Sequence, residues 1–469
     1  MTYRIPKLET PVEDPFKHDA LERMEAVDFL SGLIDRSNSE PLVLAIDAPY
    51  GSGKSTFVEM LRLKLDAKNY QTVYFDAWRA DHVSDPLVAM VAALDSVMPK
   101  MDGKKNKVQS SLNIVRKVAG VVGRRGVVAA VKVATVGAVD LEEDVEEILK
   151  DFAGEATSDL VGEFQKEEKL IECFREALER FVNALPSIDK RNTLIFIIDE
   201  LDRCRPNFAI SLLERVKHMF DVPNIVFLLS VDKQQLEAAT AAIYGERINA
   251  SEYLRKFIDL EFGLAPPTSD RFINSALTRA GLDDVFTSRE NNSETRSDRK
   301  NFVSVMFALS IIFGLSLRAQ ERCITRLRLV LEQTTEDNYL DPEHVALLIV
   351  LRLVDRSLFS GVVSGQVAPE ELLGFIESKP EGRKVISSDQ GRILRALILA
   401  EDRNEDRRQL RISQLNERLQ LQNLPPDEYH SIADQITLIR HFSHWRNRRA
   451  GFAFKQAAKK IDLASQVRD

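Results

Sequence analysis

Ala48-Pro49-Tyr50-Gly51-Ser52-Gly53-Lys54-Ser55 is the stretch whose reading decides the fold. Before it, Pro41 to Ala48 is a compact apolar run that reads as a strand. After it, Ser55 to Leu65 carries apolar residues at helical spacing. A glycine loop between a strand and a helix turns backbone N–H groups and a helix N-terminus toward one anion. The phosphate-loop pattern is Gly, four residues, then Gly-Lys-Ser/Thr. Gly53, Lys54 and Ser55 match it, Gly51 adds freedom, and Ala48 stands where the first glycine belongs. In such loops the lysine reaches the β- and γ-phosphates and the hydroxyl coordinates Mg²⁺. ATP is therefore expected on Ala48, Pro49, Tyr50, Gly51, Ser52, Gly53, Lys54, Ser55 and Thr56, with Mg²⁺ on Ser55. The Ala48 substitution costs little provided its φ is negative.

The complementary half of such a site is a carboxylate at the end of a buried strand. Thr193 to Ile198 is nearly all large and apolar, as in parallel strands covered on both faces, and it delivers Asp199 and Glu200. Asp199 is expected to hold the Mg²⁺ shell. Glu200 is expected to orient or deprotonate the attacking water. Asp202, Arg203, Cys204 and Arg205 follow. An arginine here either stabilises transition-state charge or pairs with Asp202, and Cys204 reads as a small packing residue. Asn224 to Val231 is a further buried strand with Ser230 and Asp232 at its end, where strand ends face the ligand crevice.

Strands are also expected at Thr72 to Phe75 and Phe257 to Phe262, and helices at Asp19 to Ile34, Val161 to Leu185 and Ile210 to Phe220. Strand–helix alternation indicates an α/β doubly wound parallel sheet. Everything after Ser269 reads helical. The expected organisation is residues 1–99 and 191–268 as two parts of one core, 100–190 as a helical insert, and 269–469 as a helical domain. Lysines and arginines crowd Lys100 to Lys132, and Asp140 to Glu167 is acidic. The plain reading is a solvated insert whose halves neutralise each other. The sharper ones are a surface at 100–132 for nucleic acid or anionic lipid, or a partner-binding face.

The net charge of -8 across 469 residues argues against a general nucleic-acid coat. The three cysteines, Cys173, Cys204 and Cys323, lie in no metal-ligand spacing, and no signal-like segment opens the chain, so a reducing cytoplasmic setting is expected. Phe302 to Leu315 is uncharged but shorter than the ~18–20 residues a membrane span needs, so it reads as a buried helix. Val118 to Val139 is long enough, but Arg124, Arg125 and Lys132 would each cost roughly 2.5–3.5 kcal/mol at mid-membrane. No stable membrane span is expected.

Three further strings resemble a known family. Phe75-Asp76-Ala77-Trp78-Arg79 looks like the F-N-A-W-R element of KAP-type P-loop NTPases. Ile198 to Pro206 is similar to their extended Walker B, I-D-D-L-D-R-C-x-P. Tyr253-Leu254-Arg255-Lys256-Phe257-Ile258 is like their Y-L-x-K-I-I element, and Pro266-Pro267 follows. The resemblance covers about Leu30 to Pro267. It implies the additional-strand type of sheet, with the Ser230 strand between those ending at Ala48 and Asp199, which would bring Ser230 beside the γ-phosphate. It also implies a helical lid element at Ser316-Leu317-Arg318. Family members commonly carry membrane helices between the two Walker motifs. The charged block here departs from that, as Glu200 departs from the family Asp and Asp76 from its Asn. Bacterial members are associated with phage exclusion alongside partner effector proteins.

The reading that follows is an ATP hydrolase working as a conformational or assembly switch, as a homo-oligomer or with a partner effector. A small-molecule kinase and an ATP-binding scaffold without turnover are the alternatives. Arg203, Arg205, Arg255 and Arg318 are the candidates for an arginine finger or sensor.

Overall fold

The computed structural model describes residues 5–37, 40–100, 105–124, 160–185, 192–265, 270–291, 295–332, 341–421, 424–449 and 452–464. These fall into two compact units, Glu9–Pro266 and a second made of Met1–Leu8 with Pro267–Asp469.

The first unit runs α1 (Met24–Arg36), β1 (Leu42–Asp47), α2 (Lys54–Ala67), β2 (Gln71–Asp76), α3 (Ala77–Ala80), α4 (Pro86–Ala93), α5 (Lys105–Arg124) and α6 (Leu160–Ala184). It continues with β3 (Leu194–Asp199), α7 (Pro206–Met219), β4 (Ile225–Val231), α8 (Lys233–Tyr244), α9 (Ala250–Leu254) and β5 (Leu260–Gly263). The expected strands and helices are present with ends moved by a few residues. The largest shift is in α1. Asp19 Oδ2 accepts the N–H groups of Arg23 (2.6 Å) and Met24 (3.1 Å), and Glu22 has φ +55°, so the helix opens at Met24 rather than Asp19. A side-chain acceptor that captures leading N–H groups competes with helix propagation and sets its start.

Among the described residues the five strands form one parallel sheet, in the order β2-β3-β4-β1-β5. β4 lies between β1 and β3, the additional-strand arrangement. Period-two alternation divides the sheet between two cores. Leu44, Ile46, Ile195, Ile197, Val226 and Leu228 pack with Val27, Leu30, Phe57 and Leu61 of α1 and α2. Val43, Phe196, Ile198, Phe227 and Leu229 face the other way, toward α4 to α7. Lys68 Nζ and the Tyr70 hydroxyl both reach Asp35 (2.6 and 2.8 Å), tying α1 to the α2–β2 turn.

The basic stretch departs from the solvated reading where it is described. In α5, Val108, Leu112, Val115 and Val118 are fully buried, in one core with Leu170, Phe174 and Phe181 of α6 and with the sheet. An apolar stripe at i, i+3, i+4 spacing was hidden among the lysines, and its burial outweighs the solvation of the polar face. Of the 100–132 segment, residues 101–104 and 125–132 lie outside the described residues, as does the acidic run up to 159.

Among the described residues the regular elements of the second unit are helices, beginning α10 (Asp270–Arg279), α11 (Asp283–Glu290), α12 (Asp298–Ile312), α13 (Leu317–Glu332) and α14 (Pro342–Val354), with further helices to Ala464. The uncharged run at 302–315 forms most of α12, buried on several sides through Phe302, Val305, Met306 and Leu309. Among the described residues no helix is long and apolar enough to cross a membrane.

Candidate nucleotide-binding site

The parallel sheet brings the carboxyl ends of β1, β3 and β4 to one edge, where α/β folds hold ligands. Register sets the neighbours there. Asp199 lies opposite Ser230, Asp47 opposite Val231, and Asp76 opposite Asp199.

The loop after β1 is shaped by its glycines. Gly51 and Gly53 have φ of +76° and +89°, which glycine adopts without steric cost. Gly53 caps α2, so Lys54, Ser55 and Thr56 form the helix's first turn. Ala48 keeps a negative φ and accepts no penalty for its Cβ; it is buried, and its N–H donates to Val231 O at 3.2 Å. Ser52 N–H closes on Pro49 O at 3.3 Å. Pro49, Tyr50 and Ser55 are exposed.

Lys54 is folded inward. Its Nζ donates to Ala48 O at 2.5 Å and stands 3.8 Å from Asp202 Oδ2, the two side chains being 10% and 2% exposed. Burial lowers the Lys54 pKa against the pull of Asp202, Asp232, Asp199 and Asp47. Burial likewise raises that of Asp202 against the pull of Lys54. Both shifts run toward neutrality, so desolvation outweighs attraction across this pair. The expected alternative, in which Arg203 or Arg205 pairs with Asp202, is replaced by this contact. Arg203 Nη1 instead pairs with Glu200 Oε1 at 2.6 Å, and Arg205 Nε with Asp81 Oδ1 at 3.0 Å.

Asp199 is buried at the end of β3. Its Oδ1 accepts the N–H of Glu200 (2.9 Å) and its Oδ2 the hydroxyl of Tyr74 on β2 (2.9 Å). Burial beside Asp199 pushes the Tyr74 pKa well up, so the phenol stays a donor. Glu200 has φ +61°, a left-handed backbone that costs a non-glycine residue roughly 1–2 kcal/mol. Burial raises the Glu200 pKa, and Arg203 opposes the rise.

Ser230 is fully buried on β4, and its Oγ, like those of Ser52 and Asp202 Oδ2, has no hydrogen-bond partner within the protein. Buried polar atoms are normally satisfied; a phosphate oxygen would accept from the two hydroxyls, and a metal-bound water would donate to the carboxylate. Two hydroxyls, an ammonium and a carboxylate pair around an N-terminal helix turn are a donor set that fits a magnesium–nucleotide complex. Asp232 caps α8 through the Gln235 N–H at 3.4 Å. Cys204 is buried with its thiol pushed up to about 12 by burial, which makes it a packing group. Arg255 pairs with Glu252 (3.0 Å) on the exposed end of α9, outside this cluster. Arg318, exposed at the start of α13, belongs to the helical unit.

Sequence reasoning missed Tyr74, the Lys54–Asp202 contact, and Asp47, whose Oδ1 accepts the Lys233 N–H at 2.8 Å and joins the ends of β1 and β4. A tyrosine near the end of β2, beside the strand that carries Asp199, was the available signal for Tyr74. The Asp47 contact depends on register, and the Lys54–Asp202 contact on two turns meeting at the sheet edge.

A lysine-bearing glycine loop, an acidic pair one strand beyond its neighbour, and a strand inserted between them define a P-loop NTPase of the additional-strand class. The KAP family P-loop domain matches residues 25–333, and the chain belongs to that family. No curated protein matches it. Solved structures that align with it include two from Aeropyrum pernix. The ORC2 protein in its ADPNP–ADP complexes is 14% identical, covering 94% of this chain and 95% of that one, TM-score 0.29. The ORC1 protein in complex with DNA is 14% identical, covering 97% and 96%, TM-score 0.33. Drosophila ORC bound to poly(dA/dT) DNA and Cdc6 is 11% identical, covering 96% and 70%, TM-score 0.27.

Proposed function

We propose that the protein binds and hydrolyses Mg²⁺-ATP and uses the cycle as a conformational or assembly switch. The observation that carries this reading is the meeting of Lys54, Asp199, Glu200 and the unpartnered Ser230 hydroxyl at one sheet edge. Lys54 leaves Ala48 O to bind the β- and γ-phosphates, and the first-turn N–H groups of α2 hold the same oxygens. Ser55 and Asp199 hold Mg²⁺, which neutralises charge building on the phosphates when bound. Glu200 orients the attacking water and takes its proton. Ser230 donates to the γ-phosphate or to that water.

Two variants test the assignment. Lys54→Ala should abolish nucleotide binding in a direct calorimetric titration. Glu200→Gln should bind as wild type and release no phosphate. Unchanged turnover in Glu200→Gln removes the base role. Phosphate release by the purified protein with no acceptor added supports the hydrolase over a kinase. A change of mass in solution on adding ATP supports the assembly switch, and identical mass in both states rules it out.

A further inference from the structure

Glu200, the residue assigned to activate water, is held in an ion pair in this structure. Its Oε1 lies 2.6 Å from Arg203 Nη1, with the Glu200 side chain 20% exposed. Arg203 is itself caged. Its Cζ lies 5.4 Å from the centroid of the Tyr50 ring and 5.6 Å from that of Trp78, both within the range of a cation–π contact.

These rings come from different parts of the site. Trp78 sits on α3, directly after β2, and is 55% exposed. Tyr50 belongs to the phosphate loop itself. Its hydroxyl donates to Asp202 O at 3.1 Å, and Lys54 Nζ lies 5.6 Å from its ring. Tyr50 thus lies within cation–π range of both the phosphate-binding lysine and the arginine that holds Glu200. A Lys54 drawn from Ala48 O to a bound phosphate would take one cation from beside the Tyr50 ring.

We propose that Arg203 is a nucleotide-sensing positioning residue that keeps Glu200 in its ion pair until the phosphate loop is filled, with Tyr50 as the link. The inference rests on the nucleotide-binding reading of the loop. Filling the loop displaces Tyr50, opens the Arg203 cage, and releases the Glu200 carboxylate from its ion pair to act on water. The device suits a switch protein because it ties the hydrolytic residue to occupancy of the loop.

The chain has two tryptophans, Trp78 and Trp445, so a Trp445→Phe background isolates Trp78 as a reporter. Full-length protein is titrated with the slowly hydrolysed analogue ADPNP and Mg²⁺, reading Trp78 emission, while calorimetry measures binding separately. The expected result is a shift in Trp78 emission with the same midpoint as binding. In Arg203→Gln the shift is lost while binding persists, and Arg203→Lys restores part of it. A circular-dichroism melt checks that each variant is folded, and Arg203→Lys serves if Arg203→Gln is not. Binding with unchanged Trp78 emission, or an equal shift in wild type and the folded variant, overturns the sensor and leaves the binding reading intact. No calorimetric binding to wild type overturns both.

Discussion

The Tyr74 hydroxyl on β2 donates to Asp199 Oδ2 on β3 at 2.9 Å, while Oδ1 of the same carboxylate takes the Glu200 N–H. Two donors fix the plane of the group meant to hold Mg²⁺. Partners that orient a ligating carboxylate commonly change metal affinity or activity 10–100-fold when removed. Tyr74→Phe is therefore expected to raise the Mg²⁺ concentration required for half-maximal turnover by about ten-fold. Nucleotide binding measured in EDTA should not move. An unchanged Mg²⁺ titration would show that the Glu200 N–H alone orients Asp199.

The Lys54–Asp202 contact suggests a second substitution. A carboxylate 3.8 Å from Lys54 competes with a phosphate for the same ammonium and repels the incoming anion. Unit charges several ångströms apart at an effective dielectric near 20 interact by a few kcal/mol, only partly realised here because Asp202 is itself destabilised by burial. Asp202→Asn keeps the shape and removes the charge. It should tighten nucleotide binding several-fold in calorimetry at pH 7, and weaker binding would mean that Asp202 instead holds the loop in its binding shape.

Much of this site was legible because its chemistry is local in sequence. Gly53, Lys54 and Ser55 sit on consecutive positions, and Asp199 with Glu200 ends one apolar run, so loop and carboxylates could be read without the fold. The doubly wound sheet followed from alternation alone. The order of its strands came with the family resemblance, and the structure has β4 between β1 and β3. What stayed hidden lies mostly in pairing across the sheet. Tyr74 meets Asp199 through the β2–β3 register, which no spacing rule encodes. The Glu200–Arg203 pair is local, three residues apart in one turn, and was passed over because Arg203 was weighed only against the nucleotide and Asp202. The α5 stripe was masked for another reason, since the lysines and arginines around Leu112 and Val115 drew the reading toward charge rather than periodicity.

That stripe makes its own prediction. Leu112 is fully buried between α5 and the core shared with α6. Leu112→Ala should cost about 2–5 kcal/mol of stability, as large-to-small changes in packed cores do. Thermal or urea unfolding checks it. A loss well below 1 kcal/mol would mean that α5 is peripheral to the core despite its burial.

The helical unit should weaken as pH rises. Glu343, in the first turn of α14, is 4% exposed with no partner for Oε2, and burial beside Asp341 and Asp298 pushes its pKa up to about 8. Burial alone would lower His344, but its 3.0 Å contact with Glu401, aided by Asp341 and Glu343, carries it up to about 9. Both folded values exceed the ordinary values of 4.5 and 6.5, so the folded unit holds protons that the unfolded chain releases. The associated stability is complete at low pH. Glu343 loses its share between about 4.5 and 8, and His344 between about 6.5 and 9, so the decline is steepest from 6.5 to 8. Glu343→Gln mimics the protonated carboxyl and cannot ionise. Its thermal midpoint should exceed that of wild type above pH 8 by several degrees, at about 2–4 °C per kcal/mol for a unit of this size. Below pH 5 the two curves should converge. Melts that run parallel from pH 5 to 9 would show that Glu343 is ionised in the folded protein and that its neighbours have rearranged to accept the charge.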